Sequence, residues 1–359
     1  PQEDLGGVSD VEWNNLLVSF AKRNKATVIP IHFSGCNSSL FYKMGEIHPR
    51  FRLLMLIREA ITKKETPIKV SISKPISFAS VADYSDQKLK DYYQMRTYLL
   101  SQVKTEEVKV ETHLLDNPQP LIAPLDRQIL KDEIDALSTE NKLVDYKHFT
   151  VYHSRQSQTP NIVREIGRLR ERTYRDFKEG SGLEADNDSF DATYIQLFIW
   201  DNNNNEIIGA YRFGAVKELY KDGDKSELYL SSLFDYPESF LKENEQGLET
   251  GRSFIVKEHQ KKHYGLLLLW QGIAHFAAQY PDFHSLFGTV SISNEYDPKS
   301  IALMHRVLVG DQYEVPPKNK LESHLPAEVE RYLKKYDVSI KELSLLIKSI
   351  EKDGKDIPI

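Results

Sequence analysis

Two opposite charges, Glu249 and Arg252, stand in residues 248–256 (LETGRSFIV), an apolar stretch that predicts a strand. Charged groups inside a buried strand are costly unless they pair with each other or face a cleft. Residues three apart project to opposite faces of a regular strand, so a bulge at Gly251 would be needed to bring the two side chains together. The pattern therefore fits either a structural ion pair or an acid–base pair in a cleft.

Three further groups of charged residues recur near predicted strand ends and on one predicted helix. They are the arginines Arg168, Arg170, Arg172 and Arg175, the acidic loop 186–191 (DNDSFD), and Arg212 in an otherwise apolar strand. Each group alone is typical of a solvated surface, but together they predict a polar cleft. Asp188 and Asp191 lack a histidine or third acid at metal-ligand spacing, so we expect no metal site.

A short basic segment, 259–265 (HQKKHYG), joins this strand to an apolar helix. Backbone amides at a helix N-terminus bind anions, and Lys261 and Lys262 add positive charge there. Only one glycine, Gly265, is present, so an anion cradle and an ordinary strand–helix turn fit equally well. The sequence contains neither G-x-S-x-G nor G-x-x-x-x-G-K-[ST], and its single cysteine excludes an internal disulfide framework.

The composition is that of a soluble globular protein of about two domains: 359 residues, 40% hydrophobic and 28% charged. The net charge of −6 disfavours a nucleic-acid binder, and no apolar run is long enough to predict a membrane span. Because the sequence begins at Pro1, we expect it to be part of a longer chain. The single cysteine fits the cytoplasm.

The front of the chain predicts an incomplete α/β sheet, and the middle predicts a second α/β unit followed by helices. The expected front elements are a capping box at 9–12, helix 13–21, buried strand 27–33, helix 46–63, strand 68–73 and a polar helix 85–104. A proline-rich linker at 116–124 and a short helix at 126–138 follow.

The later elements are strand 147–153, helix 160–177, hairpin 194–213, strand 249–256, helix 264–280, strand 285–292 and helix 298–308. Two amphipathic helices at 325–352 end the chain, the last with Ile340, Leu343, Ile347 and Ile350 on one face. This face predicts packing within the chain or in a dimer. We expect segments at 1–104, 105–147 (linker and short helix), 148–312 and 313–359 (helical tail).

Five sequence words in order give the second half its resemblance. They are R-T-Y-R-D-F at 172–177, D-x-x-D at Asp188 and Asp191, G-A-Y-R ending at Arg212, E-x-G-R at 249–252 and L-L-W-Q-G-I at 268–273. Residues 170–304 thereby resemble the GNAT-fold N-acyltransferases that make ornithine and glycine lipids, and the related acyl-homoserine-lactone synthases.

The first 80 residues resemble the back half of the lysophospholipid (glycerolipid) acyltransferases. The words are V-I-P-I at 28–31, F-S-G-x-N-S at 33–38 and I-x-V-S-I-S-K-P-I at 68–76. The His-x-x-x-x-Asp motif of that family does not occur here, so O-acyl transfer is not expected. The order of the two parts resembles two-domain proteins of Bacteroidetes that carry the label hemolysin.

The resemblance implies an α/β fold with a GNAT-like mixed sheet, splayed between strands 249–256 and 285–292, behind a partial acyltransferase-like segment. Backbone amides in the gap would hold an acyl thioester, on acyl carrier protein or coenzyme A, with no bound cofactor. A single glycine in the loop favours the carrier protein. The implied donor-binding residues are Ile255, Val256, Gln260, Lys261, Lys262 and Gly265.

The implied activity is transfer of a fatty acyl group to the amine of an amino acid in aminolipid synthesis, at the cytoplasmic side and the inner face of the membrane. Glu249 would act as base with Arg252 beside it. The acceptor would be bound by Arg172, Asp188, Asp191 and Arg212. Two alternatives stay open: a homoserine-lactone-synthase-like enzyme, and a catalytically silent domain that binds acyl carrier protein or a membrane surface. The oligomeric state is open.

Overall fold

The computed structural model describes residues 2–4, 7–9, 13–62, 67–101, 117–177, 179–262, 264–293, 295–310, 315–319, 325–352 and 354–357. These form two compact units. The helical unit contains the described residues up to 101 with 295–310 and 325–357, and the sheet unit contains 117–293 and 315–319. This grouping differs from the predicted limits at 148 and 312, because helix 298–308 joins the helical unit and residues 117–147 join the sheet unit.

The helices and strands follow the predicted order closely. In chain order they are β1 (Gln2–Asp4), β2 (Gly7–Ser9), α1 (Leu16–Asn24), β3 (Ile31–Phe33), α2 (Ser39–Ile47), α3 (Pro49–Thr62), β4 (Val70–Ile72), α4 (Asp86–Tyr98), α5 (Arg127–Asp135), β5 (Lys142–Tyr146), β6 (Phe149–Arg155), α6 (Pro160–Arg175), β7 (Ile195–Asp201), β8 (Glu206–Ala215), α7 (Val216–Leu219), α8 (Glu238–Glu243), β9 (Gly247–Ile255), α9 (Lys257–Gln260), α10 (Tyr264–Gln279), β10 (Ser285–Gly288), α11 (Pro298–Leu308), α12 (Ala327–Lys335) and α13 (Ile340–Ile350). The predicted capping box at 9–12 falls largely outside the described residues. No helix within the described ranges has the length and apolar character to cross a bilayer.

A six-stranded mixed sheet organises the sheet unit, as predicted. Its strand order is β10-β9-β8-β7-β6-β5, with antiparallel neighbours throughout except for the parallel pair β9–β10. Helix α6 packs on β8 and β9, while α10 packs on β5 to β8. Gly272 of α10 lies directly against Val151 and Leu197, where an added Cβ would clash. The edge strand β5 was not predicted, because its sequence (KLVDY) carries only two aliphatic residues.

A bulge in β9 sets the direction of its charged side chains. Arg212 of β8 lies opposite Gly251, and Ala210 lies opposite Phe254, so β9 holds one more residue than β8 between these pairs. Arg252 occupies the bulge with φ 55°, a left-handed conformation that is uncommon outside glycine. The predicted bulge is therefore present, one residue later than Gly251. It turns Arg252 to the same face of the sheet as Glu249.

The pairing between β9 and β10 covers only the first part of β9. Ser285 to Gly288 pair with Gly247 to Thr250, and β10 then ends, four residues before the predicted end at 292. Strand β9 continues to Ile255 against β8. Among the described residues, 251–255 thus have a strand neighbour on one side only. This is the place where the resemblance implied a gap in the sheet.

The helical unit has a core that the sequence only partly predicted. Helix α4, predicted to be polar, buries Leu89, Tyr92 and Met95 against the other helices of this unit. The tail helices pack within the chain, so Leu343, Leu346 and Ile347 are fully buried. Ile340 is 59% exposed, which makes its predicted place on the buried face wrong. The face instead includes Leu346, which follows Leu343 at helical spacing.

The strand predicted at 27–33 was expected to be buried, and that prediction is wrong for β3, which forms a ribbon with β4. The two strands pair antiparallel, with Ile31 opposite Ile72 and Phe33 opposite Val70, and all four side chains are exposed. The predicted helix 46–63 is two helices. His48 between them is extended, because the residue before a proline avoids the helical conformation.

Candidate active site

Three arginines and three aspartates form one buried network on the α6 face of the sheet. Arg170 comes from α6, Arg212 from β8 and Arg252 from the bulge of β9. The aspartates Asp186, Asp188 and Asp191 come from the loop between α6 and β7. The three sets that the sequence singled out at separate places in the chain therefore meet.

Each guanidinium contacts the acidic loop. Arg170 Nε donates to Asp186 Oδ2 at 2.6 Å, and Arg252 Nη1 donates to both oxygens of Asp186 at 3.0 and 2.9 Å. Arg212 Nη1 donates to Asp188 Oδ1 at 2.6 Å and to Asp191 Oδ1 at 3.0 Å. Asp188 also caps the 3₁₀ turn Ser189–Ala192. Asp188 and Asp191 thus each accept a hydrogen bond from Arg212 through an oxygen that a metal ion would need as a ligand.

The charges in this network stabilise one another. Burial opposes ionisation of Asp191, but the nearby Arg170 and Arg212 outweigh it and lower the pKa of the carboxyl group. Burial also works against the charge of Arg212, whose hydrogen bonds to Asp188 and Asp191 raise its pKa above the ordinary value. Asp186 differs from Asp191, because burial raises the pKa of its carboxyl group despite the nearby Arg170 and Arg252.

Arg172, predicted to bind the acceptor, does not join this network. Its side chain is 38% exposed and forms an ion pair with Glu258 at 3.0 Å. It lines a groove of about 310 Å³ with Leu125, Leu169 and Val256. Two residues along an α-helix differ in direction by about 200°, so Arg170 and Arg172 face opposite ways. Arg170, completely buried, is the arginine of this helix that contacts the aspartates.

Glu249 is buried beside this network and does not pair with Arg252. Its Oε1 accepts hydrogen bonds from the hydroxyl of Tyr194 at 2.9 Å and from the backbone N–H of Leu230 at 3.1 Å. Only 2% of the residue is exposed. Burial disfavours the charged carboxylate and raises its pKa to about 7, although the Leu230 amide, Tyr194 and Arg212 act in the other direction. A carboxyl group with this pKa exchanges its proton near neutral pH.

Aromatic rings separate Glu249 from the arginines. The ring of Tyr194 lies 5.1 Å from the Arg212 guanidinium, and the ring of Tyr229 lies 5.3 Å from it. Tyr229 also lies 5.0 Å from the guanidinium of Arg252. Cations over aromatic faces are attracted electrostatically, so the rings help to hold both arginines in place.

Buried polar atoms without a hydrogen-bond partner concentrate in this region. In the part of the chain that the structure describes, they include Arg170 Nη1, Asp188 Oδ2, Gln196 Oε1, Arg212 Nη2, Glu249 Oε2 and Arg252 Nε. Such atoms are rare in proteins and call for a ligand or an ordered water. The set contains N–H donors that suit a carboxylate and acceptors that suit an amine.

Two backbone amides, those of Ile255 and Val256, were predicted to bind the acyl thioester, and the geometry fits only the first. The N–H of Val256 donates to the carbonyl of Ile208 at 3.0 Å, so its predicted contact with a thioester is wrong. Backbone groups of successive strand residues point to opposite edges, so the Ile255 amide points away from β8, beyond the end of β10. The Ile255 carbonyl accepts from the side-chain amide of Gln260 at 2.9 Å.

The segment after β9 places the other predicted donor-binding residues. Gly265 lies in the first turn of α10, and a Cβ there would come within 3.3 Å of the Ile255 side chain. Lys261 and Lys262 are exposed between α9 and α10. The chain thus brings Ile255, Gln260 and Gly265 together and leaves both lysines at the surface.

The sequence analysis named Arg170 only as one of four arginines on a helix, and it missed Tyr194, Tyr229 and the Leu230 amide. The helical repeat of α6 held a signal for Arg170, since Arg168, Arg172 and Arg175 recur on one face and Arg170 does not. No comparable signal marked the tyrosines or the amide. They reach Glu249 through turns whose geometry depends on the packed aromatic cluster around Tyr194, Leu228 and Tyr236.

Comparison with known proteins gives the fold and the reaction class. The family model described as an acetyltransferase (GNAT) domain matches residues 169–271. A glycine N(alpha)-acyltransferase of Phocaeicola vulgatus is 29% identical over 257 residues, which cover 67% of this chain and 78% of that protein. A glycine N(alpha)-acyltransferase of Bacteroides thetaiotaomicron is 30% identical over 192 residues, 50% of this chain and 56% of that protein.

The search of solved structures gave no match to this chain. The GNAT match covers the second half of α6, the acidic loop and strands β7 to β9, which together carry the arginine–aspartate network and Glu249. With the mixed six-stranded sheet and the two related enzymes, it shows that this chain carries a GNAT domain and is an acyltransferase.

Proposed function

We propose that this chain transfers a fatty acyl group from a thioester to the amine of glycine or another small amino acid, in the synthesis of an aminolipid. The names of the two related enzymes support glycine as the acceptor. The observation that carries the proposal is Glu249: a buried carboxyl group with a pKa of about 7 and one unpartnered oxygen, within electrostatic reach of Arg212.

The acceptor amine must lose a proton, because only the neutral amine attacks a thioester. This first proton goes to the solvent. Oε2 of Glu249 then takes a second proton from the nitrogen, directly or through one water, while the neutral nitrogen forms a bond to the carbonyl carbon. The tetrahedral intermediate then collapses, the carbon–sulfur bond breaks and the thiolate leaves. The thiolate takes up the proton that Glu249 received, so the products are an N-acyl amino acid and a free thiol, and no acyl-enzyme forms.

The acceptor carboxylate would bind at the unpartnered donors Arg212 Nη2 and Arg252 Nε. Guanidinium groups suit carboxylates because their N–H bonds form a planar fork. Asp188 and Asp191 would then act through the arginines, since Arg212 Nη1 is already bound to both of them. This arrangement selects an amine that carries a carboxylate over a simple alkylamine.

The acyl thioester would lie along the edge of β9 where β10 has ended. The Ile255 amide is the candidate hydrogen-bond donor to the oxyanion that develops on the carbonyl oxygen. Lys261 and Lys262, both exposed beside this edge, would meet an acidic acyl carrier protein. The single glycine of this segment, Gly265, favours the carrier protein over coenzyme A, whose phosphates need a richer cradle of amides.

The charge and the exposed apolar side chains of the helical unit suit binding to a lipid surface. Residues 13–76 contain eleven lysines and arginines against three acidic residues, in a chain whose net charge is −6. The same region exposes large apolar side chains on α3, including Leu53, Leu54, Ile57 and Ile61, each at least 65% exposed. Basic and apolar side chains together suit an anionic bilayer, so we propose that this face binds the inner surface of the membrane.

The decisive experiment supplies the purified chain with palmitoyl-carrier protein or palmitoyl-coenzyme A and one acceptor, and measures thiol release and N-acyl product by mass spectrometry. We expect product with glycine. Methylamine, which lacks the carboxylate, and S-adenosylmethionine serve as matched acceptors. Product from S-adenosylmethionine but not glycine would indicate a homoserine-lactone-synthase-like enzyme, and binding of the carrier protein without turnover would indicate a silent binding domain.

A further inference from the structure

We infer that Tyr194 is a positioning residue that gives the two oxygens of Glu249 different tasks: Oε1 is held in place, and Oε2 is left to accept the proton. This inference rests on the proposed function and adds a residue that the sequence gave no reason to choose. It depends on the contacts around one carboxyl group.

Tyr194 stands at the junction of the acidic loop and β7, 55 positions before Glu249 in the sequence, and only 2% of it is exposed. Its hydroxyl donates to Glu249 Oε1 at 2.9 Å and accepts from the backbone N–H of Tyr229 at 2.8 Å. The Tyr229 amide occupies the acceptor side of the hydroxyl, and its one proton can reach Glu249 Oε1 at 2.9 Å or the Glu227 carbonyl at 3.4 Å, of which the shorter contact is the stronger. Tyr194 is therefore oriented as a donor to Glu249.

The two oxygens of Glu249 consequently differ. Oε1 receives two hydrogen bonds, from Tyr194 and from the Leu230 amide, while Oε2 is buried without a hydrogen-bond partner. Hydrogen bonds to an oxygen stabilise its negative charge and make it a weaker proton acceptor. The free oxygen is thus the stronger base, and the carboxyl group cannot rotate without breaking both bonds to Oε1.

Tyr194 must keep its own proton to act in this way. Burial and the neighbouring Glu249 raise the pKa of its phenol above the ordinary value, so it remains a donor throughout the range in which Glu249 titrates. The other ionisable groups that act on Glu249 are Arg212 of β8 and Tyr236, and the backbone N–H of Tyr229 also lowers the pKa of the Glu249 carboxyl group. Phe287 of β10, opposite Glu249 in the sheet, has no ionisable group.

The test is the pH dependence of kcat/KM in Tyr194→Phe. The loss of one hydrogen bond to the charged form of Glu249 should move the midpoint of the acid limb upward by about one pH unit. Turnover should recover at high pH, and KM for glycine should change less than kcat. Tyr174→Phe is the matched control, because that hydroxyl donates to the Ser253 carbonyl instead of a carboxyl group. Its midpoint should not move.

A second variant covers the case in which Tyr194→Phe does not fold. Site-specific 3-fluorotyrosine at position 194 keeps the shape of the side chain and makes its hydroxyl a stronger donor, so the midpoint should move downward. Opposite shifts in the two variants support the inference. An unchanged midpoint in the fluorinated enzyme with normal turnover overturns it and leaves the proposed function intact. Failure of the unmodified enzyme to acylate any acceptor overturns the proposed function itself.

Discussion

The two units of this chain differ in where they place charged and apolar side chains. The sheet unit buries Arg170, Arg212, Asp191 and Glu249 almost completely. The helical unit exposes large apolar side chains on α3 and the β3–β4 ribbon, in a region with a strong excess of positive charge. The sheet unit thus buries charged groups that water would stabilise, and the helical unit exposes apolar groups whose contact with water is unfavourable.

Burying charged groups and exposing apolar side chains are both unfavourable for the stability of the folded chain. A buried ion pair contributes little net stability because both ions lose their hydration, and exposed apolar patches of this extent mark contact surfaces. The comparison teaches that each departure points to a different kind of partner. The polar interior of the sheet unit suits a small charged substrate, and the apolar surface of the helical unit suits a lipid bilayer.

The strongest test of the buried network compares two arginines of α6. Arg170→Gln should lower the free energy of unfolding by about 3 kcal/mol, because Asp186 and Asp191 each lose one of two arginine partners and keep only Arg252 and Arg212. Arg172→Gln removes an exposed ion pair and should change stability by less than about 1 kcal/mol. Urea unfolding of both variants gives the two values, and equal losses would show that the network does not depend on Arg170.

The next test uses the pH dependence of stability. The carboxyl pKa of Glu249 is about 7 in the folded chain and 4.5 in the ordinary state, so the folded protein holds this proton more tightly. Its contribution to stability is therefore fully present below pH 4.5 and is lost as the pH rises through 7. The loss amounts to about 3 kcal/mol, without a discount for solvent because the group is buried.

Glu249→Gln removes this contribution and isolates it from the other carboxyl groups. The difference in unfolding free energy between the parent chain and the variant should fall between pH 4.5 and 7 and stay constant above. Asp191, whose pKa is lowered, acts in the opposite direction in both proteins and cancels in the difference. A difference that is independent of pH would mean that Glu249 is solvated.

The same variant tests catalysis. Glu249→Gln should reduce kcat by about 100-fold through loss of the general base, and should abolish the rise in kcat/KM near pH 7. Glutamine keeps the size of the side chain and its acceptor for Tyr194, so the variant should stay folded. Glu258→Gln, on an exposed side chain after β9, is the matched control. Unchanged turnover in Glu249→Gln would remove this residue from the mechanism.

Much of the sheet unit could be predicted, because its signals are local. The alternation of β7 and β8, the proline that begins α6 and the order of the sequence words gave the elements and the GNAT-like sheet. The bulge was predicted from charge alone, since Glu249 and Arg252 had to reach one face. These patterns depend only on residues that are close in sequence, so contacts with distant parts of the chain did not change the elements that they predicted.

The remaining features depend on contacts between distant parts of the chain. Tyr194 reaches Glu249 because the aromatic cluster places the turn at Tyr229, and no repeat in the sequence records that distance. In the helical unit, the apolar segment 27–33 predicted burial of Ile31 and Phe33, yet an apolar segment does not show what covers it. What covers this exposed face depends on a partner.

The smallest expected effect concerns that face. Leu54→Ser on α3 should weaken binding to vesicles of mixed anionic and neutral lipid by about tenfold, because burial of one leucine contributes at least about 1.5 kcal/mol. Stability should hardly change, since this side chain is 66% exposed. Leu233→Ser, an exposed leucine of the sheet unit, is the control and should bind like the parent chain. Co-sedimentation measures both.

Salt separates the two components of this binding. Raising the ionic strength should weaken the attraction between the basic residues of 13–76 and the anionic lipid, while the contribution of Leu54 remains. Purely neutral vesicles should bind the chain weakly at any salt concentration, because the apolar side chains act without charge attraction there. Equal binding of both leucine variants and the parent chain, at all salt concentrations, would assign the apolar face to some partner other than a bilayer.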